Sequence, residues 1–170
     1  MEYGKILYLN GVTSSGKTSI VNALRARGVK FYYLSDDIFE DHIIDPIPYG
    51  APGYDKALAE AVFLMHRTAR LFSEAGKSVV IDSMLLESPG FVPHYARVLE
   101  IYKDHPLHMI EVYCPLDVCR QRNLQRGDRH EFQSQEQAAV MAKQVRYDLR
   151  LDTDTRTPDQ CAQQIINIFF

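Results

Sequence analysis

The chain contains no tryptophan, and its three cysteines, Cys114, Cys119 and Cys161, form no C-x-x-C pair. An odd, scattered set of thiols builds neither a disulfide frame nor a thiolate zinc site, and it suits a reducing, cytoplasmic compartment. The six histidines show no ligand spacing and are read as bland. No apolar leader precedes the first strand-like residues after Met1-Glu2-Tyr3-Gly4. No apolar run approaches the roughly 20 residues that span a bilayer, so no membrane partner is expected. Positive charge is not in excess either. Nineteen Lys and Arg against 22 Asp and Glu give a net charge of −3, which speaks against a nucleic-acid partner. Internal repeats and low-complexity tracts are missing, so nothing divides the chain. With 170 residues, 46% of them hydrophobic, it is read as one domain over residues 1–170, large enough to bury a core.

What is present begins with a strand, Lys5-Ile6-Leu7-Tyr8-Leu9-Asn10, running into Gly11-Val12-Thr13-Ser14-Ser15-Gly16-Lys17-Thr18. GVTSSGKT satisfies G-x-x-x-x-G-K-[ST], the phosphate-binding P-loop. Gly11 and Gly16 are read as permitting dihedrals closed to residues with a Cβ. Backbone N–H groups across Thr13, Ser14, Ser15 and Gly16 then converge on one anion, helped by the positive end of the following helix. Lys17 reaches the outer phosphates, and the Thr18 hydroxyl is placed for Mg²⁺. A plain glycine-rich turn would have no use for the Lys-Thr pair.

Beyond the loop, hydrophobic periodicity predicts strands alternating with helices. Helices are expected over about 16–27, 54–75, 89–103, 115–124, 136–146 and 158–170, and strands over 30–35, 77–82, 107–113 and 149–152. This alternation argues for a parallel sheet covered on both faces. Ile44 to Gly53 carries Pro46, Pro48, Pro52, Gly50 and Gly53, and reads as a surface loop. Ile44, Ile47, Tyr49 and Tyr54 are candidates to line an acceptor pocket, within an acceptor loop taken as about 41–54.

Acidic residues fall at strand ends, where open α/β sheets place their ligands. Asp36 and Asp37 follow Lys30-Phe31-Tyr32-Tyr33-Leu34-Ser35. One is expected to align an acceptor hydroxyl and take its proton, the other to cap the next helix. Asp36, first off the strand, is preferred. Asp82 ends Val79-Val80-Ile81 and is expected to hold Mg²⁺ opposite Thr18. Arg120, Arg122, Arg126 and Arg129 crowd into RQRNLQRGDR, an arginine lid over about 120–135 with Gly127 as its hinge. Arginine forks match phosphate oxygens, so Arg122 is assigned to the nucleotide, and Arg126 and Arg129 to charge developing on the transferred group. Asp152 and Thr153, before the Thr157-Pro158 cap, are placed to wall an adenine base.

The motifs LNGVTSSGKTSIV, SDDIFE, VVIDS, RNLQRGDR and YDLRLDT, the last followed by a Thr-Pro capped helix, together resemble the chloramphenicol phosphotransferase-like family of P-loop kinases. The resemblance runs nearly end to end. It implies an α/β P-loop kinase fold with a five-stranded parallel sheet of order 2-3-1-4-5 and helices on both faces. It also implies transfer of the γ-phosphoryl group of Mg-ATP to a hydroxyl of a small molecule. The family's catalytic aspartate falls on Asp36 and its lid arginines on Arg126 and Arg129. The likeness lapses from Asp41 to Tyr54, and Ala142 stands where a histidine is expected, so the resemblance names no acceptor. Two other readings stay open. One is a kinase of nucleotides or nucleic-acid ends. The other is a nucleotide-binding switch with little catalysis, although neither D-x-x-G after a strand nor N-K-x-D occurs.

Overall fold

The computed structural model describes residues 2–43, 47–48 and 51–170. Its strands are β1 (Ile6–Asn10), β2 (Tyr32–Ser35), β3 (Val79–Ser83), β4 (Leu107–Tyr113) and β5 (Leu149–Asp152). They form one sheet of order β2-β3-β1-β4-β5, every neighbouring pair parallel. That is the expected order. Along β1, consecutive residues point to opposite faces, and all five are fully buried. Ile6 and Tyr8 pack with Met65, Ala69 and Val98. Leu7 and Leu9 pack with Ile20, Leu24, Ile165 and Phe169. A strand buried on both sides is apolar throughout, which explains the runs that mark β1 and β3.

One face is therefore covered by α1 (Lys17–Ala26) and α7 (Pro158–Phe169). Helix α7 starts at the expected cap: Thr157 accepts from the Gln160 amide, and the Gln160 side chain accepts from the Thr157 N–H. The other face is covered by α3 (Tyr54–Glu74) and α4 (His94–Ile101). Helix α2 (Asp36–Ile43) leaves β2 without a loop, while α5 (Leu116–Arg126) and α6 (Gln133–Val140) sit beyond β4. No helix among the described residues is long and apolar enough to cross a membrane.

Two boundaries differ from the periodicity. Helix α4 is shorter than 89–103, starting only at His94, after Pro93. Helix α6 stops at Val140 rather than running to 146. Its continuation is captured by the segment after β3. The Glu87 N–H donates to Val140 O at 2.7 Å, the Ala142 N–H donates to Leu85 O at 2.7 Å, and Leu86 bridges Met141 antiparallel. Backbone groups committed to a neighbouring chain segment cannot continue an α-helical ladder.

Candidate active site

Sheet register brings the candidate residues together before any side chain is considered. Asp82 lies level with Leu9 on one side and Ser35 on the other, and Asn10 lies level with Ser83. The P-loop, the start of α2 and the end of β3 thus emerge at one sheet edge. They open into a cavity of about 1000 Å³ lined by Thr13, Ser14, Gly16, Lys17, Thr18, Asp36, Asp82 and Thr153, with much of α3, α5 and α6.

The two loop glycines serve different ends. Gly16 has φ +102°, and Ser14 shares the left-handed region at φ 58°. Gly11 does not. A Cβ there would lie 2.5 Å from Val112 O, so its glycine is required by close approach to β4, a correction to the dihedral argument. Lys17 is also less free than a loop lysine should be. Its side chain is 10% exposed, and Nζ donates to Gly11 O at 2.6 Å and Val12 O at 3.0 Å, with Asp82 Oδ1 at 3.8 Å. Thr18 Oγ1 donates to Asp82 Oδ2 at 2.7 Å, and Tyr33 OH donates to the same oxygen at 3.2 Å. Burial, then the Asp82 charge, pushes the Tyr33 phenol up to about 12, so it remains a donor. A hydroxyl and a carboxylate at this separation suit a hard cation that keeps most of its own water, as Mg²⁺ does. The sequence pointed to Thr18 and Asp82 but gave Tyr33 no role beyond its strand.

Asp36 faces inward. Its Oδ2 accepts from Ser83 Oγ at 2.8 Å and from the Met84 N–H at 3.2 Å. Tyr8 OH donates in turn to Ser83 Oγ at 2.9 Å. The other oxygen, Oδ1, is buried with no hydrogen-bond partner among the described residues. Burial raises this carboxyl to about 7 against the pull of those two donors, with Asp82 raising it and Lys17 lowering it by smaller amounts. Ser83 and Tyr8 were not foreseen; only the serine after Asp82 hints at them.

Asp37, one residue on, points elsewhere: its Oδ2 lies 3.5 Å from Arg129 Nη2. Both aspartates belong to the first turn of α2, where carboxylates suit the helix dipole.

The arginines separate. Arg120 pairs with Glu131 and stacks over Phe132, away from the cavity. Arg122 donates to Ser14 O at 3.2 Å, Thr153 Oγ1 at 3.1 Å and Thr153 O at 2.9 Å, tying the P-loop to the turn after β5. It lines the cavity, yet its donors here serve backbone and hydroxyl rather than waiting free for phosphate. Arg126 lies in α5 and forks onto Asp128, while Arg129 lies past the left-handed Gly127 cap. Both line the cavity. Asp152 departs from its expected place: its Oδ1 accepts from the Asp154 and Thr155 N–H groups. It shapes the turn that holds Thr153 and is not a wall of the cavity. Thr153 is a wall, and it donates to Ser15 O at 2.6 Å. The Ser15 side chain is fully buried beneath the loop, so only its backbone faces this network.

Helix α6 supplies contacts the sequence did not announce. Gln137 Oε1 accepts from the Thr13 N–H at 2.7 Å, and Ser134 Oγ donates to Thr13 O at 3.1 Å. Of the acceptor-loop candidates, Tyr54 lines the cavity and donates to Glu40, and Ile47 does not line it. Ile44 and Tyr49, with Pro46 and Gly50, lie outside the described residues.

A second network was hidden among the histidines. The Leu86 N–H donates to His94 Nδ1 at 3.0 Å, which leaves the proton on His94 Nε2, 3.4 Å from His66 Nε2. His66 Nδ1 then faces Tyr102 OH at 3.0 Å, and that hydroxyl donates to His66 O at 3.1 Å. Burial lowers both histidines, His94 to about 4, so both are neutral. They brace the segment carrying Leu86, a cavity wall.

A parallel sheet of this order with a P-loop at its edge defines a P-loop kinase. The family model described as chloramphenicol phosphotransferase-like protein matches residues 4–169, and the chain belongs to that family. It is 25% identical to the Mycobacterium tuberculosis H37Rv "Putative O-phosphotransferase", over 93% of this chain and 78% of the relative. The Pseudomonas aeruginosa "Probable adenylyl-sulfate kinase" is also 25% identical, over 71% of this chain and about half, 54%, of its own length. Among solved structures, the Mycobacterium tuberculosis APS kinase CysC in complex with AMPPNP and APS superposes with a TM-score of 0.70. That likeness covers 98% of both chains at 19% identity, and it concerns the fold.

Proposed function

We propose that the protein is an ATP-dependent O-phosphotransferase, a single kinase domain that moves the γ-phosphoryl group of Mg-ATP to a hydroxyl of a small molecule. The observation that carries this reading is Asp36. Its Oδ1 is buried and unpartnered, and the carboxylate opens on the same cavity as Lys17, Thr18 and Asp82. A plain nucleotide switch has no need of such a group.

The acceptor hydroxyl is held by Asp36 Oδ1, in line with the γ-phosphorus; alignment matters most in a loose phosphoryl transition state. The acceptor oxygen bonds to phosphorus, the bond from phosphorus to the bridging oxygen breaks, ADP leaves with that electron pair, and the hydroxyl proton passes to Asp36. General-base help of this kind contributes on the order of a hundredfold. A carboxyl poised near 7 holds an acceptor hydroxyl in its ionised form and releases the proton readily afterwards. Ser83 and the Met84 N–H fix its orientation through Oδ2.

Thr18 and Asp82 would hold Mg²⁺, which when bound neutralises charge between the outer phosphates. Lys17 exchanges its two loop carbonyls for phosphate oxygens, and the Thr13 to Gly16 backbone receives the rest. Gln137 leaves the Thr13 N–H as the phosphates arrive. Arg126, forked onto the exposed Asp128, and Arg129, beside the exposed Asp37 and Asp128, can swing onto the transferring group. A nucleic-acid-end kinase fits less well, since a net charge of −3 offers no basic excess to hold a phosphate backbone.

The test is a screen of purified protein with γ-labelled Mg-ATP over hydroxylated metabolites, antibiotics and nucleosides. Label is expected on an acceptor with equivalent ADP release. Slow ATP hydrolysis with no labelled acceptor would leave a switch as the better reading.

A further inference from the structure

The α2 residues 36–41 hold four carboxylates, Asp36, Asp37, Glu40 and Asp41, and no lysine or arginine, and Asp55 adds a fifth in the first turn of α3. Asp36, Asp37, Glu40 and Asp55 line the cavity. Of the cations that reach the cavity from the arginine-rich side, three already have acids, and Arg122 is held by Ser14 and Thr153. Arg126 forks onto Asp128, Arg129 faces Asp37, and His130 lies 3.1 Å from Glu136. Among the described residues, Glu40 and Asp55 have no cationic partner. Glu40 lies four residues after Asp36, one turn along the same helix face, so it extends into the cavity beside the catalytic carboxylate. Tyr54 OH donates to Glu40 and fixes its head group. The same cavity has an apolar lining from Leu58, Val62, Leu86 and Phe91.

From this we infer the chemical class of the acceptor: a hydroxylated small molecule with an apolar or alicyclic body and a protonated amine, the ammonium bound by Glu40 and Asp55 while Asp36 takes the hydroxyl. The inference rests on the phosphotransferase reading of the same site. Two observations converge on it. One is the uncompensated negative charge of the acceptor side. The other is the buried, unpartnered Asp36 Oδ1, which calls for a donor from the ligand. An anionic acceptor, as APS is, would meet repulsion from Glu40 and Asp55, which no cation among the described residues offsets. Charge complementarity of this kind decides between ligands, because a wrong-sign group costs more than a matched one contributes.

The experiment offers Mg-ATP and three sets of hydroxyl compounds to the purified protein. These are amines (2-deoxystreptamine, glucosamine and phenyl-substituted amino alcohols), the same molecules N-acetylated, and the carboxylates shikimate and gluconate. Phosphoryl transfer is expected to the amines. N-acetylation is expected to raise KM at least about tenfold, the scale of one lost charge-assisted contact. Glu40→Gln and Asp55→Asn should each raise KM for the amine by about the same factor, change kcat little, and leave the N-acetylated compound unaffected. Preferential transfer to the carboxylates or to the N-acetylated set would overturn the inference while leaving phosphotransfer intact. So would equal losses on charged and neutral acceptors in both variants, which is what a merely structural role predicts. Transfer to none of the three sets would count against the phosphotransferase reading itself, and the inference would go with it.

Discussion

Asp37 Oδ2 lies 3.5 Å from Arg129 Nη2, joining the first turn of α2 to the segment beyond α5 across the mouth of the cavity. Its neighbour Asp36 has its back to this pair and hydrogen-bonds inward to Ser83. Two adjacent aspartates thus hold different posts: one bonds inward at the cavity, the other pairs with the segment past Gly127.

That division predicts different kinetics. Asp36→Asn keeps the size of the side chain and one acceptor oxygen but cannot take a proton. It should lower kcat by about a hundredfold or more with ATP affinity unchanged. Asp37→Asn should cost kcat less than tenfold, because the pair is largely exposed and such pairs contribute at most about 1 kcal/mol. A larger loss in Asp37→Asn, assayed with the same acceptor at saturating ATP, would reverse the assignment.

Arg129→Ala should reduce kcat more than it weakens ground-state binding of Mg-ATP, since the guanidinium serves charge that develops in transfer. In the double variant with Asp37→Asn the two effects should be less than additive, because both remove one pair. Steady-state kinetics of the four proteins settle it.

The pH profile follows from Asp36. The group must be ionised to accept a proton, and its carboxyl sits near 7, mainly through burial, with Asp82, Lys17 and Ser83 modifying it. kcat/KM should therefore rise as pH increases through about 7, with a slope of one. Folding stability runs the other way. The proton is bound more tightly in the fold than in the unfolded chain, so the contribution present below about pH 4 is lost as pH rises through about 7. Asp36→Asn should flatten both curves, read by kinetics and by urea denaturation at each pH.

Lys17→Ala should abolish phosphotransfer. It should also lower Tm measurably, because Nζ satisfies two P-loop carbonyls and lies near Asp82, contacts worth on the order of 1–3 kcal/mol in total. Circular dichroism should show the native helix and strand content retained.

His94→Leu should be destabilising by about 1–3 kcal/mol, since it strands the partly buried Leu86 N–H and the buried His66 ring nitrogen. Both histidines are buried neutral, with folded pKa values below the ordinary 6.5. Their stabilising contribution is complete above 6.5 and declines as pH falls below it, toward about 4 for His94. This trend opposes that of Asp36, so it is measured cleanly in the Asp36→Asn background.

Much of this was legible in the sequence because it is local. The GVTSSGKT spacing placed Lys17 and Thr18, the apolar run before Asp82 placed β3, and Thr157-Pro158 placed the α7 cap. What was not legible depends on contacts distant along the chain. Ser83, Tyr8 and Asp36 come together from two strands and the start of a helix. Gln137 reaches Thr13 over 124 positions, and His66 meets His94 over 28, with no spacing to betray either. The end of α6 at Val140 was missed for the same reason: a helix-compatible sequence was claimed by Leu85, Leu86 and Glu87. Asp152 looked like a ligand residue because strand-end acids often are, and nothing local shows that its oxygen closes a turn.

Helix α6 touches both halves of the active site. Its Ser134 and Gln137 hold the P-loop at Thr13, and its last residue and the two after it are laced to the Leu85–Glu87 wall of the acceptor side. It works as a crossbar. Were nucleotide to draw Gln137 away from Thr13, the strain would reach the wall that Val140 and Ala142 hold. Linkage would then bind the two substrates: whatever factor nucleotide exerts on acceptor affinity, the acceptor would exert on nucleotide affinity.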